Sequence, residues 1–180
     1  MDGGDAVLGG PIPGDTKDWT WVLERPCPEC GFDPRSVDVP DIADLVLANA
    51  ASWQEVLARP DVLQRPQPDV WSPLEYACHV RDVFRLFDLR LGLMLAEDDP
   101  QFANWDQDET AVAERYHAQD PGTVAVDLQE AAEVVAASFA AVRPDQLERR
   151  GRRSDGATFT VETFGRYFIH DPTHHLDDVS

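Results

Sequence analysis

Four stretches of this chain repeat apolar residues at the spacing of an α-helix, and this pattern limits the fold more than any other feature. They cover about residues 41–59, 72–94 and 124–142, and a last stretch that begins near residue 160. Each stretch places its apolar residues on one face, and strand-like alternation is almost absent. Four amphipathic helices that share one core predict an all-α fold, a four-helix bundle.

The remainder of the chain divides into an N-terminal arm and one long connection. Residues 1–38 are rich in Gly, Pro and Asp without a regular period, so we predict an arm there and the bundle over residues 39–180. The segment from Asp18 to Leu23 is apolar enough that we expect it to dock on the bundle. The acidic connection from Glu97 to Gly122 is long for a loop and contains one short predicted helix.

Charge and composition narrow the function classes. Thirty-four acidic and 15 basic residues give a formal charge of −19, which disfavours nucleic acid and anionic membrane surfaces as partners. The first residues lack signal-peptide features, no apolar run spans a bilayer, and three cysteines do not form a disulfide framework. We therefore expect a cytoplasmic protein that acts on a small molecule, and a homodimer is compatible with the sequence.

Three of the five histidines fall within six residues near the end of the last predicted helix. His170 and His174 are four residues apart, so on a helix their rings aim at one point and can chelate a divalent metal. His79, at the edge of the second helix's apolar stripe, is the candidate third ligand. Three ligands would leave a coordination position open for water or substrate. By chance, many helices also carry such a pair without binding a metal.

A rival pair overlaps this one. Asp171 and His175 are also four residues apart, and they point about 100° away from the first pair. Pro172 complicates both pairs, because it cannot donate a backbone hydrogen bond and can kink the helix or restart it at Asp171. The choice between the two pairs stays open from the sequence.

Two segments resemble a known family. Residues 71–82, WSPLEYACHVRD, and residues 168–176, FIHDPTHHL, are similar to the two histidine segments of the DinB-like superfamily. That superfamily includes mycothiol-dependent maleylpyruvate isomerases and the bacillithiol and mycothiol S-transferases. Residues 104–108, NWDQD, and the tract ending at Gly156 strengthen the likeness, which covers roughly residues 40–180.

The resemblance implies a four-helix bundle with a divalent metal held by His79, His170 and His174. Zinc is the first expectation, with nickel and iron as alternatives. It also implies a metal-dependent S-transferase or isomerase that activates a low-molecular-weight thiol, mycothiol, as cofactor. The basic residues nearby would bind anionic groups of the thiol or the substrate, or would only neutralise neighbouring acids; they are Arg149, Arg150, Arg152 and Arg153. The alternatives are a metal-dependent hydrolase and a non-enzymatic, stress-related bundle that binds a metal or small ligand.

A second constellation lies in the arm. Cys27-Pro28-Glu29-Cys30-Gly31 has the spacing of half a zinc knuckle, but the chain contains no second Cys-x-x-Cys. A complete zinc site would need a further ligand from Cys78, a histidine or another subunit. The alternative is an inert, reduced cysteine pair.

Two other classes of enzyme are disfavoured. The chain has one Glu-x-x-His motif instead of the two typical of di-iron bundles, and it lacks the Gly-x-Ser-x-Gly nucleophile elbow of a serine hydrolase.

Overall fold

The computed structural model of the chain describes residues 12, 14 and 18–180. The expectations for the start of the arm concern residues 1–11, 13 and 15–17, which lie outside the described residues. Within the described chain the helices are α1 (Ile42–Leu57), α2 (Pro73–Ala96), α3 (Gln107–Ala113), α4 (Pro121–Ala140) and α5 (Val161–Asp178). A two-stranded antiparallel sheet joins β1 (Arg150–Arg152) to β2 (Thr158–Thr160).

The four long helices form the predicted bundle. Helix α4 packs against α1 and α2, and α5 packs against the same two helices. Their apolar faces meet in one core that includes the fully buried side chains of Trp53, Phe84, Phe139 and Phe168. The all-α prediction is therefore confirmed, and α3 and the sheet lie in the connections of the bundle.

Local signals set the starts of two helices that carry the site. At α2 the Ser72 hydroxyl accepts from the Glu75 N–H while the Glu75 carboxylate accepts from the Ser72 N–H, which completes the predicted capping box. At α5 the Thr160 hydroxyl accepts from the Thr163 N–H. Both caps satisfy backbone donors that would otherwise lack partners in the first turn.

Helix α5 continues through Pro172 without a restart. The helix extends from Val161 to Asp178, and the buried Pro172 packs within it. The Asn49 side chain on α1 donates to the Pro172 carbonyl at 2.9 Å, which ties this turn to the bundle. Because the turn stays helical, residues 170–175 keep helical spacing on both sides of the proline.

The described part of the arm lies along α5. A 3₁₀ helix, Trp19–Leu23, begins at an Asp18 cap, buries Val22 completely and packs against α5. Further along, the Arg166 guanidinium on α5 donates to the Val37 carbonyl at 2.9 Å. The expected docking of the segment from Asp18 to Leu23 is thus present.

The sheet closes one end of the bundle. The Gly151 backbone packs so closely on Met94 and Phe102 that a side chain there would overlap them. Arg149 donates to the carbonyls of Met94 at 2.7 Å and Glu97 at 2.8 Å, which satisfies acceptors at the C-terminus of α2.

Among the described helices, none combines the length and apolarity that crossing a membrane requires.

Candidate metal centres

Helix α5 presents two ligand pairs on adjacent sides. His170 and His174 lie on one side, and Asp171 and His175 lie on the next, because consecutive helical residues diverge by about 100°. Each pair meets ligands from a different part of the chain. His79, Asp171 and His175 form one group, called here the open cluster; Cys27, Cys30, His170 and His174 form the other, called here the Cys/His cluster.

The open cluster joins α2 to α5. His79 Nε2 lies 3.3 Å from Asp171 Oδ1, and His175 Nε2 lies 3.7 Å from Asp171 Oδ2. The candidate ligand atoms, one from each residue, all lie within 4.8 Å of one another. Two imidazoles and one carboxylate at this separation are a ligand set for zinc or non-haem iron, and they leave coordination positions open.

Buried atoms without partners support an ion at the open cluster. His79 is completely buried, and neither of its ring nitrogens has a hydrogen-bond partner among the described residues. Asp171 Oδ1 is likewise buried and has no hydrogen-bond partner among the described residues, although His79 Nε2 lies 3.3 Å away. Leaving such polar atoms without partners costs free energy, and a cation between His79 and Asp171 would remove part of that cost. The residues present therefore fit a divalent metal.

Neighbouring side chains hold the two histidines of the open cluster. His79 stacks on Trp105 with ring centroids 5.7 Å apart and contacts Trp71 at 5.5 Å. His175 Nδ1 lies 2.9 Å from Asp178 Oδ2, so Asp178 can accept a hydrogen bond from the Nδ1–H and favour the tautomer whose Nε2 lone pair binds a metal. Burial alone would raise the pKa of Asp178, but the contact with His175 outweighs burial, and the pKa of Asp178 is lowered.

The open cluster faces a cavity of about 560 Å³. Asp171 and His175 line it, while His79 lies behind them. Trp19, Trp71 and Trp105 supply aromatic walls. Carboxylates predominate among the charged groups around it: Glu29, Asp69, Asp106, Asp108, Asp171 and Asp178.

The Cys/His cluster joins the arm to α5. Cys27 Sγ lies 3.7 Å from His174 Nδ1, and Cys30 Sγ lies 3.7 Å from His170 Nε2. Cys27, His170 and His174 are buried, and Cys30 is partly buried. His170 and His174 both contact the Trp19 ring, with centroids 5.5 and 5.0 Å away.

Protonation of this second cluster follows from its burial. Burial lowers the pKa of His170 to about 4, and the neighbouring His174 acts in the same direction, so the ring is neutral near pH 7. Burial raises the pKa of Cys30 to about 11, with Cys27 adding to the effect. A neutral imidazole is ready to bind a metal, whereas the thiol must first lose its proton.

The structure divides the three histidines predicted to share one ion. His170 and His174 face Cys30 and Cys27, whereas His79 faces Asp171 and His175. The physical reason is helix geometry: the side of α5 that faces α2 carries Asp171 and His175, and the adjacent side faces the arm. The rival pair from the sequence is therefore the one that meets His79.

The basic tract is also divided. Arg153 donates to the Tyr167 hydroxyl at 3.0 Å, and Tyr167 lines the main cavity. Arg149 binds the end of α2, Arg152 pairs with Asp99 at 3.3 Å, and Arg150 is exposed. Of these contacts, only the one from Arg153 reaches a residue that lines the cavity of about 560 Å³ at the open cluster.

Sequence reasoning missed two supporting residues. Nothing local identifies Trp105 as the ring that stacks on His79, because it reaches the site from the long connection. Asp178 had a usable signal, since it lies three residues after His175 and thus on the same side of α5.

Comparisons with known proteins agree with this architecture. Residues 55–179 match the family model described as the DinB superfamily. A solved structure from Bacillus subtilis, YfiT, superposes with a TM-score of 0.66 at 20% identity, covering 82% of this chain and 86% of that one. It is described as "a probable metal-dependent hydrolase with an unusual four-helix bundle topology". No curated protein shows significant sequence similarity to the chain. The family match extends over more than half of the residues, so the chain belongs to the DinB superfamily.

Proposed function

We propose that the protein is a metal-dependent enzyme whose ion is bound by His79, Asp171 and His175. One observation carries this proposal: the three residues can bring one ligand atom each to within 4.8 Å of the others. His79 and Asp171 also have buried atoms without hydrogen-bond partners among the described residues. The neighbouring cavity of about 560 Å³ is large enough for a small-molecule substrate. Zinc or iron suits two imidazoles and a carboxylate.

A divalent ion held there would act as a Lewis acid and lower the pKa of a nucleophile bound beside it. The protein's own residues then position the reactants. Trp71 and Trp105 pack against the completely buried His79 and also line the cavity beside it. Asp178 orients the His175 ring, and Asp171 extends from the buried ring of His79 to the cavity. The open side of the cluster therefore faces the cavity.

A low-molecular-weight thiol of the mycothiol type is the nucleophile that we propose. The support is the resemblance of residues 71–82 and 168–176 to the histidine segments of the superfamily, which includes thiol-dependent enzymes. Arg153 adds a cation next to Tyr167 at the cavity. In this reaction the thiolate would form a carbon–sulfur bond to an electrophilic substrate. In S-transfer the substrate's leaving group would depart and take up the thiol's proton, whereas in isomerisation the new bond would break again and release the thiol.

Metal-dependent hydrolysis is the second candidate. Two observations favour it: the description of YfiT, and the carboxylates around the cavity, which would repel an anionic thiol. Glu29 and Asp178 belong to these carboxylates and could accept a proton from water. For either reaction we place the protein in the cytoplasm, where its three free cysteines would stay reduced.

Cobalt substitution tests the thiol reaction directly. We expect added mycothiol to produce a new sulfur-to-cobalt charge-transfer band in protein with cobalt at the open cluster. The experiment uses the Cys27→Ser/Cys30→Ser variant, so that protein thiolates contribute nothing to the band. His175→Ala in the same background should abolish the new band, and His117→Ala is the matched control.

Turnover assays separate the candidate functions. Thiol consumption against a panel of electrophiles should accompany the new band if the protein is a transferase or isomerase. Absence of the band at millimolar thiol, together with ester or amide hydrolysis, would replace the thiol reaction with hydrolysis. Bound metal without turnover in either assay would favour the non-enzymatic alternative.

A further inference from the structure

Cys27, Cys30, His170 and His174 have the composition and spacing of a structural zinc site. The Cys-x-x-Cys segment supplies two sulfurs, and the i, i+4 histidine pair supplies two nitrogens. In a tetrahedral zinc site, bond lengths of about 2.3 Å to sulfur and about 2.0 Å to nitrogen place these atoms about 3.5 Å apart. Two of the sulfur-to-nitrogen distances are 3.7 Å, close to that value without any movement of the backbone.

The arm is folded so that both cysteines face α5. The Gly31 N–H donates to the Cys27 carbonyl at 2.8 Å, and the Cys27 N–H donates to the Phe32 carbonyl at 2.9 Å. Gly31 has a φ of 75°, a conformation that glycine adopts at little cost and that closes this turn. The two hydrogen bonds and the glycine bring the cysteine side chains to the same side of the turn.

Neighbouring groups close the site. His174 Nδ1 faces Cys27, and its other nitrogen, Nε2, lies 3.4 Å from Glu29 Oε2. A carboxylate at the second nitrogen fixes the ring's orientation, as is usual for metal-bound histidines. Trp19 covers both histidines from the arm. Four protein ligands complete the coordination of zinc, so this site would have no position for a substrate.

We propose that the Cys/His cluster binds a second metal ion, a structural zinc that fastens the arm to α5. Binding would release the two thiol protons and would change no oxidation state. The proposal does not depend on the reaction at the open cluster, because the two clusters share no ligand.

The position of the zinc connects it to the cavity. Trp19 and Glu29 belong to the arm and line the cavity, as do His170 and His174. His174 and His175 are consecutive. An ion bound by His174 would therefore also restrict the movement of His175, which supplies a ligand to the open cluster. We therefore assign to the zinc a second role, which is to hold one wall of the cavity beside the open cluster.

Metal content tests the proposal. Wild-type protein expressed with adequate zinc should contain one more ion per chain than the Cys27→Ser/Cys30→Ser variant. Cys78→Ser is the matched control and should keep the full content, because Cys78 belongs to neither cluster and its thiol contacts the Tyr116 carbonyl and the Gln119 side chain. Equal metal content in the wild type and the double variant would overturn the proposal.

Measurements on wild-type protein keep the test valid if the double variant does not fold. Cobalt-substituted wild type should show thiolate-to-cobalt charge transfer before any thiol is added, and His79→Ala should retain that band. Alkylation of Cys27 and Cys30 should be slow in the zinc-loaded protein and at least tenfold faster after chelation. A cobalt protein without the band, or a disulfide between the two cysteines under reducing conditions, would contradict a zinc site. If added mycothiol produced no new band, that result would contradict the proposed thiol reaction at the open cluster and would leave the structural zinc site untouched.

Discussion

The rings of His174 and His175 lie 5.7 Å apart at an angle of 80°, and they face different ligand groups. His174 Nδ1 points to Cys27 in the arm, whereas His175 Nε2 points to Asp171, which approaches His79 of α2. Two consecutive residues thus connect α5 to two separate parts of the chain. A mutation that removes the metal bound by one of these two histidines should therefore leave the metal bound by the other in place.

The first prediction separates the ligands. In the Cys27→Ser/Cys30→Ser background, we expect alanine at His79, Asp171 or His175 to remove most of the remaining metal, because each change leaves only two ligands. Elemental analysis measures the loss. His117→Ala is the control and should keep the ion. Loss of metal on His170→Ala but not on Asp171→Ala, in this background, would restore the set of His79, His170 and His174.

The second prediction concerns Asp178, which contacts His175 Nδ1 at 2.9 Å. Asp178→Ala should weaken metal affinity at the open cluster roughly 10–100-fold, because the ring of His175 loses the group that orients it. Competition with a chelator in the same double-variant background measures the affinity. Asp177→Ala is the matched control, since Asp177 is exposed and makes no contact with the open cluster. Equal effects of the two changes would rule out an orienting role for Asp178.

The third prediction concerns the buried ion pair at the start of α2. Arg65 Nε donates to Glu75 Oε2 at 2.8 Å, and the Glu75 side chain is only 4% exposed. Burial raises the pKa of Glu75, but Arg65 and the Ser72 N–H more than offset this, and the net pKa is lowered. Glu75→Gln should cost about 2 kcal/mol of unfolding free energy at pH 7, because the partly buried Arg65 loses its charged acceptor and keeps only a neutral one, such as the Pro68 carbonyl at 3.2 Å.

The pH dependence of that loss has a definite sign. A lowered pKa means that the ionised carboxylate stabilises the fold above its unfolded-state pKa, about 4.3, and that this contribution disappears as the pH falls further. Urea unfolding should therefore give a difference between wild type and Glu75→Gln that shrinks below about pH 4. Glu162→Gln removes a more exposed partner of Arg166 and should cost less than about 1 kcal/mol. A difference that grows in acid would contradict the assignment.

The sequence predicts the long helices well because their signals are local. The capping box at Ser72 and Glu75 predicts the start of α2. The prolines at 40 and 60 predict the two ends of α1 to within a few residues. Helix α4 begins at Pro121, earlier than the predicted 124, because Asp120 caps it and proline fits the first turn. Asp120 followed by Pro121 is therefore the local signal for this helix start.

The ligand groups are harder to predict because they combine distant residues. Cys27 and His174 are separated by 147 positions, and spacing alone cannot say which helical side meets the arm. The sequence does contain a signal: two overlapping i, i+4 pairs and a Cys-x-x-Cys that lacks two ligands. Pro172 is the obstacle to using that signal, because a break there would re-aim both pairs, and only the structure shows that α5 is continuous.

The fourth prediction concerns the close packing of α5 at Gly165. A methyl group there would overlap Ile42 Cδ1 and would lie 3.1 Å from Phe139 Cε1. Gly165→Ala should therefore destabilise the bundle by about 1–3 kcal/mol, since the completely buried side chains of Ile42 and Phe139 would have to shift within the packed core. Gly92→Ala is the matched control in α2, where nothing lies within 4 Å, and it should stabilise by about 0.5–1 kcal/mol. Thermal unfolding compares the two, and a neutral Gly165→Ala would show that the packing adapts.

The last prediction concerns the arginine tract and tests the thiol directly. Arg153 contacts Tyr167 at the cavity and also pairs with Asp155, whereas Arg150 is exposed on the sheet. If Arg153 binds an anionic group of the thiol or substrate, Arg153→Gln should raise the apparent thiol dissociation constant roughly tenfold, while Arg150→Gln should not. Titration of the cobalt band at several salt concentrations measures the constant. The wild-type affinity should fall with added salt, and the Arg153→Gln affinity should fall less, because one charge pair is gone. Equal affinities for the two variants would mean that the tract serves only to balance neighbouring acids, and the acidic cavity would then favour a neutral or cationic substrate for hydrolysis.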